Sequence, residues 1–313
     1  MTDLFTPIPF ALWQSDKDAF AAAIGNSFRE TGFAVIDGHP IATDLIQATL
    51  ETAQDFFALP PDAKQAYYDK EAGGQRGYTP FGTENAKGAA NHDLKEFWHT
   101  GRALDPNGPY QDKMLPTPHV AEVENFDETT YKVFTALDMF GRELLRGIAC
   151  HLKLEETWFE DKVNHGNSIL RLLHYPAQQT PPPAGTVRAG AHEDINVITL
   201  LLGADEAGLE VLHRSGKWLP VNPPPSAIVI NCGDMLQRMT GGVLPSTTHR
   251  VVNPSPERAK FSRYSMPYFL HFNPDVLIKA LPGCLDEGGK AEPPITATDY
   301  LMERLIEIGL VKA

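Results

Sequence analysis

The stretch Ala191-His192-Glu193-Asp194-Ile195-Asn196-Val197-Ile198-Thr199-Leu200-Leu201-Leu202 joins three titratable side chains to an apolar, β-branched run. Such a run reads as a strand, here over Ile195 to Leu202. In extended chain the side chains alternate, so His192 and Asp194 face one way and Glu193 the other. One imidazole and one carboxylate then converge on a point. A second histidine stands 55 positions after Asp194, in Thr247-Thr248-His249-Arg250-Val251-Val252, again leading a strand-like run. Two imidazoles and one carboxylate leave adjacent coordination positions open, which suits ferrous iron and needs no thiolate. Zinc hydrolases use similar sets, so the triad alone leaves the metal open.

Outward from this stretch the texture divides the chain. From about Ser168 onward, short apolar runs are separated by turn residues: Ile169–Tyr175, Val197–Leu202, Leu209–His213, Trp218–Val221, Ala227–Asn231, His249–Val252 and Ser262–Leu270. Evenly spaced short strands of this kind predict a sandwich or barrel. Upstream the periodicity is helical. Helices are expected over Ser15–Thr31 with Gly32 as a stop, Thr43–Phe57, and Thr129–Leu154, with a short strand at Phe33–Ile36 and a closing helix over Ala297–Ile308. The expected organisation is one compact unit, with a helical N-terminal half (1–160) packed on a β core with a C-terminal helix (161–313).

Composition narrows the partners. The 313 residues carry 40 acidic and 27 basic side chains, a formal charge of −13, without a Lys/Arg run to form a basic patch. Nucleic acid and anionic membrane surfaces are therefore not expected as partners. With 42% hydrophobic and 21% charged residues the chain has material for a packed core. Cys150, Cys232 and Cys284 are irregularly spaced and include no CxxC pair, which argues against a disulfide framework or zinc knuckle. No leader-like or membrane-spanning run is visible, so a reducing cytoplasm is the expected setting.

The segments HEDINVITLLL (192–202), GLEVLHRSGKWLPVNPPPSAIVINCGDMLQRMTGG (208–242), STTHRVVNP (246–254) and RYSMPYF (263–269) resemble, in order and spacing, the isopenicillin N synthase-like 2-oxoglutarate/Fe(II) dioxygenases. IPFALW (8–13), GFAVIDGHPI (32–41), FFALP (56–60) and RGYTPFG (76–82) followed by DLKEFW (93–98) are similar to their helical N-terminal half, so the resemblance spans nearly the whole chain. It implies an α+β fold with a mainly β core: a double-stranded β-helix (jelly roll, cupin-type) with flanking helices. It also implies that His192, Asp194 and His249 hold Fe(II), and that 2-oxoglutarate and O₂ are co-substrates. Arg263 and Ser265 match the family's R-x-S pair, which clamps the distal carboxylate of 2-oxoglutarate, and Tyr175 matches a tyrosine that assists. A guanidinium fork meeting a carboxylate and a hydroxyl donor beside it is sound chemistry for that task.

The activity so implied is oxidation, most simply hydroxylation, of a small molecule, with succinate and CO₂ released. Some members of the family close rings or oxidise without 2-oxoglutarate, using the R-x-S pair for a substrate carboxylate. An oxoglutarate-independent oxidase and a non-catalytic binding protein on the same fold are therefore the alternative readings. The chain departs from the plant pattern at Leu173, Glu193 and Gly241-Gly242, none of which is a ligand position. Alternation from Tyr175 places Leu173 and Arg171 on the same side, so Arg171 could look into the barrel and pair an anionic substrate. By analogy, Arg76, Tyr78, Asn91 and His92 line the entrance.

Overall fold

Alternation along the strands sorts most of the sequence into two main sheets and two layers of core. The structure is a computed structural model that describes residues 4–70, 73–83, 93–178, 187–202 and 208–307. In chain order the strands are β1 (Ile8–Pro9), β2 (Phe33–Asp37), β3 (Gly77–Thr79), β4 (Glu96–Gly101), β5 (Ile169–Tyr175), β6 (Ala189–His192) and β7 (Ile198–Leu202). They continue with β8 (Leu209–Leu212), β9 (Trp218–Pro220), β10 (Ala227–Cys232), β11 (His249–Val251) and β12 (Arg263–Leu270), and close with a separate antiparallel pair, β13 (Leu277–Ile278) and β14 (Ile295–Thr296). An eight-stranded sheet runs β1-β2-β10-β7-β12-β5-β4-β3, and a four-stranded sheet runs β6-β11-β8-β9. Their inner faces meet through Phe33, Val35 and Val229 of the large sheet and Val211 of the small one. This is the jelly-roll arrangement.

The outer face of the large sheet carries the helices. Ile198, Leu200 and Leu202 of β7, Tyr268 and Leu270 of β12 and Trp98 of β4 join Phe134, Leu137, Leu144 and Ile148 in the principal core. The long helix Phe126–His151 lies there with its apolar residues at helical spacing, and Gly141 leaves room for the Leu270 and Leu200 methyls. Phe134 meets Tyr268 edge-on at 5.2 Å, and Phe56 of the Thr43–Ala58 helix meets Trp98 at 5.0 Å. Each fully buried Leu or Phe contributes about 1.5–3 kcal/mol relative to exposure, so this layer anchors the sheet whose other face holds the site.

Most expected elements form within a few residues of their expected limits. The first long helix starts at Lys17 because Asp16 accepts a hydrogen bond from the Ala19 amide at 3.0 Å and caps it. It ends at Gly32, whose φ of 72° is the left-handed closure expected of a stop. The long helix begins at Phe126 rather than Thr129 and ends at His151 rather than Leu154. The last helix covers Ala297–Glu307, and Ile308 lies outside the described residues. Strands β1–β4 come from the first 160 residues and complete the same sheet as the later strands, with β2 paired to β10 and β4 to β5. Among the described residues no helix is long and apolar enough to cross a membrane.

The strand expected from Ile195 does not start there. Residues 193–197 form a crossing segment, and β7 begins at Ile198. His192 instead closes β6, which pairs with β11 so that His192 stands opposite His249, with a bulge before the Ala189–Val251 pair. A bulge at this point bends the strand and aims its last side chain across the sheet.

Candidate active site

His192, Asp194 and His249 come together at the open end between the two sheets, with one ligand atom from each lying within 4.8 Å of the others. Asp194 Oδ1 is 3.7 Å from His192 Nε2 and 3.8 Å from His249 Nε2. The Nδ1–H of His192 donates to the Gly190 carbonyl at 2.7 Å, and that of His249 to the Thr247 carbonyl at 3.1 Å. A carbonyl can only accept, so both rings carry a proton on Nδ1 and turn Nε2 toward Asp194. Phe33 meets the His249 ring edge-on at 5.4 Å and restricts its rotation. Glu193 turns away, as alternation predicts, and accepts from Thr248 Oγ1 at 2.8 Å.

Charge favours the ligand forms. Desolvation, then the neighbouring His249, push the His192 imidazole down to about 4, and Asp194 only partly offsets them. The side chain is 41% exposed, which limits the first effect but leaves the direction, toward neutral imidazole, unchanged. Burial works against the Asp194 carboxylate, but His249, His192 and hydrogen bonds from Asn231 and Thr199 overcome it and hold it below the ordinary carboxylate range. Two imidazoles and one carboxylate are the donor set for a non-haem ferrous ion, so the site fits Fe(II).

Sequence reading missed the groups that orient Asp194. Thr199 Oγ1 donates to Asp194 Oδ2 at 2.5 Å and Asn231 Nδ2 to the same oxygen at 2.8 Å, leaving Oδ1 for the metal. The two residues are direct neighbours across β7 and β10 and face the barrel interior. Their signal was a polar residue inside an apolar strand, at Thr199 in ITLLL and Asn231 in AIVINC. Asn231→Leu is expected to weaken Fe(II) binding by about 10- to 100-fold, as loss of outer-shell support to a ligand does. Anaerobic metal titration measures it, and wild-type affinity would show that Asn231 does not orient the carboxylate.

Deeper on the same inner face, Arg263 and Ser265 of β12 stand opposite Tyr175 and Leu173 of β5. All four are buried, Arg263 to 6% and Tyr175 to 2% exposure. The Arg263 guanidinium lies over the Tyr175 ring at 5.0 Å. A second guanidinium, Arg188, lies over the same ring at 5.5 Å and is itself buried. Sequence reading passed over Arg188, whose burial depends on the crossing of the chain into β6.

Arg171 does turn to the inner face. It stands opposite His99 of β4 and donates Nε–H to His99 Nε2 at 2.6 Å, while His99 Nδ1–H donates to the Gly74 carbonyl at 2.8 Å. Its guanidinium is flanked by Phe97 at 4.2 Å and Phe269 at 5.2 Å. Arg76 is buried beside this patch, with Gln75 O and Asn167 Oδ1 as acceptors, and desolvation lowers its pKa to about 10. Buried His271 is held down to about 4 by desolvation and then by Arg76, and it also feels Asp194. His99 and His271 thus belong to the inner face. Tyr78 does not line an entrance: it packs against Phe56 on the helix side and donates to Glu96. Asn91 and His92 lie outside the described residues.

Comparison with known proteins agrees with this geometry. Residues 166–272 match the model of the 2OG-Fe(II) oxygenase superfamily, and residues 7–122 match that of the non-haem dioxygenase N-terminal region. The 2-oxoglutarate-Fe(II) type oxidoreductase hxnY of Emericella nidulans is 33% identical over 295 residues, covering 91% of this chain and 83% of the relative. A 2OG-Fe(II) oxygenase family protein from Caulobacter crescentus is 48% identical, with TM-score 0.91, over 98% of this chain and 100% of that one. A full-length Neurospora crassa protein, solved in complex with alpha-KG, is 30% identical, with TM-score 0.84, over 96% of this chain and 95% of that one. The chain belongs to the 2-oxoglutarate/Fe(II)-dependent oxygenase family. It is a 2-oxoglutarate-dependent iron dioxygenase that oxidises a small molecule, and the oxoglutarate-independent oxidase and binding-protein readings are set aside.

Proposed function

We propose that His192, Asp194 and His249 hold the Fe(II), that Arg263, Ser265 and Tyr175 hold the distal carboxylate of 2-oxoglutarate, and that the substrate is a small anion received at Arg171. The observation that carries the first part is the convergence of two imidazole Nε2 atoms and one carboxylate oxygen, each side chain fixed from behind by a hydrogen bond. Bound iron supplies oxidative decarboxylation of 2-oxoglutarate to succinate and CO₂, with one O₂ atom entering succinate and the other most simply hydroxylating a substrate C–H. The residues of this chain have other tasks. They keep three ligands in register, orient the co-substrate against Tyr175, and line the cavity with Leu173, Phe97 and Phe269 to keep water away. A reducing cytoplasm belongs to this reading, since it keeps iron ferrous and the thiols of Cys150, Cys232 and Cys284 free. Without oxygen, Fe(II) and 2-oxoglutarate together should produce a weak visible charge-transfer band that neither gives alone. No band despite tight iron binding would overturn the 2-oxoglutarate assignment.

An anionic substrate is favoured by Arg171, whose guanidinium is oriented by two aromatic faces and one imidazole on the inner face of the large sheet, the sheet opposite the one that carries His192 and His249. Such a fork favours a carboxylate. One relative is seen with a neutral ring: the same Neurospora crassa protein in complex with thymine. Titrating the anaerobic Fe(II)/2-oxoglutarate complex with a panel of small carboxylic acids and with thymine separates the two chemistries. Acids should perturb the band, and Arg171→Met should weaken that response by about 10- to 100-fold, the scale of one charge-assisted hydrogen bond, while leaving the band itself. Thymine acting at lower concentration than every acid would sink the anionic assignment.

A further inference from the structure

We infer that Asp93 is a positioning residue for His192, acting through the backbone of Gly190. This rests on the reading of His192 as an iron ligand. Strand β6 lies at the edge of the four-stranded sheet, with β11 on one side only. Edge strands leave one row of amides and carbonyls without a neighbouring strand, and buried backbone groups need partners. At Gly190 both groups of that row are used. Its N–H donates to Asp93 Oδ1 at 3.0 Å, and its carbonyl accepts Nδ1–H of His192 at 2.7 Å. The carboxylate therefore fixes the peptide that fixes the ring. The other oxygen, Asp93 Oδ2, lies 2.9 Å from Lys95 Nζ. Both side chains of this pair are buried, Asp93 to 6% and Lys95 to 7% exposure.

A buried ion pair is weak support for stability and is retained more readily where it places something. Here it ties the residues just before β4 to the edge strand that carries His192, with the carboxylate spanning the gap. Of the two imidazoles, His249 is steadied by Phe33 and by strands on both sides of β11, whereas His192 stands on the free edge and is partly exposed. The edge ligand is the one that needs an external anchor.

The test compares two double variants that both lack the ion pair. Asp93→Asn with Lys95→Met keeps an acceptor for the Gly190 amide, while Asp93→Leu with Lys95→Met removes it without leaving a buried charge. Anaerobic Fe(II) affinity and the position of the Fe(II)/2-oxoglutarate band are read for both, with His192→Ala as reference. The expected result is iron affinity about 10- to 100-fold weaker and a displaced band in the Leu/Met form only, the scale seen when support behind a metal ligand is lost. Equal affinity and the same band in the two forms, with His192→Ala weakened, would overturn the role of Asp93 alone. Wild-type iron affinity in His192→Ala would instead overturn the ligand assignment beneath it. If the Leu/Met form does not fold, Asp93→Ser with Lys95→Met, whose shorter side chain withdraws the acceptor from Gly190 without leaving a buried charge, is measured in its place and carries the same two outcomes.

Discussion

Replacing Asp194 with alanine will leave a folded protein that no longer retains Fe(II) at micromolar concentration and shows no succinate release. Asp194 is the one anionic donor of the triad, buried to 6% exposure, and its two oxygens are divided between the site and the supporting pair Thr199 and Asn231. Removing one partner from a buried ionic site costs about 3–5 kcal/mol, and each 1.4 kcal/mol is tenfold in affinity. Iron affinity should fall by roughly a hundred- to several-thousandfold. The fold should tolerate the change better, because alanine also removes a buried carboxylate that desolvation disfavours. The Thr199 hydroxyl and Asn231 amide, left without their acceptor, account for a cost of about 1–3 kcal/mol each, softened by water entering from the mouth. Anaerobic metal titration beside circular dichroism separates the two effects. A folded Asp194→Ala protein with wild-type iron affinity would remove the triad from the reading.

How much of this site the sequence displays depends on whether each part is local. Strand β5 and the strands from β7 to β12 were legible within a few residues because one or both faces are apolar over their length, and the turns between them carry Gly and Pro. The alternation at His192-Glu193-Asp194 was read correctly for side-chain direction, although its frame was misplaced: β6, with sequence AGAH, offers no apolar run to mark a strand. Strand β4 escaped for a different reason. Its six residues, EFWHTG, are all buried, with Trp98 in the helix-side core and Phe97 and His99 on the cavity side, so apolar periodicity is broken by polar groups that have partners on both faces. Thr199 with Asn231, and Asp93 with Gly190, are non-local pairs. They become visible only once the register of β7 against β10, and the free edge of β6, are known.

Arg263→Ala should raise the KM for 2-oxoglutarate by roughly 30-fold to several-thousandfold while leaving Fe(II) binding in the absence of 2-oxoglutarate intact. The guanidinium is buried, lies over the Tyr175 ring, and is carried by β12 at the position opposite Tyr175, so its direction is set by strand register rather than by a mobile stem. A preorganised fork loses little freedom on binding, and truncating one side of a buried charge pair costs about 2–5 kcal/mol. Ser265, two residues along the same face and opposite Leu173, offers a neutral donor. Ser265→Ala should therefore cost only about 0.5–1.5 kcal/mol, a few-fold to tenfold in affinity. Lysine at position 263 keeps the charge but not the fork and should fall between the two. The order Ala, Lys, Ser265→Ala in descending effect is the signature of a bidentate carboxylate clamp, read from 2-oxoglutarate titrations of the Fe(II) protein followed by the visible band. Equal losses in Arg263→Ala and Arg263→Lys would point to packing against Tyr175, and 2-oxoglutarate affinity unchanged in Arg263→Ala would move the clamp elsewhere on the inner face, where Arg188 is the next buried guanidinium beside Tyr175.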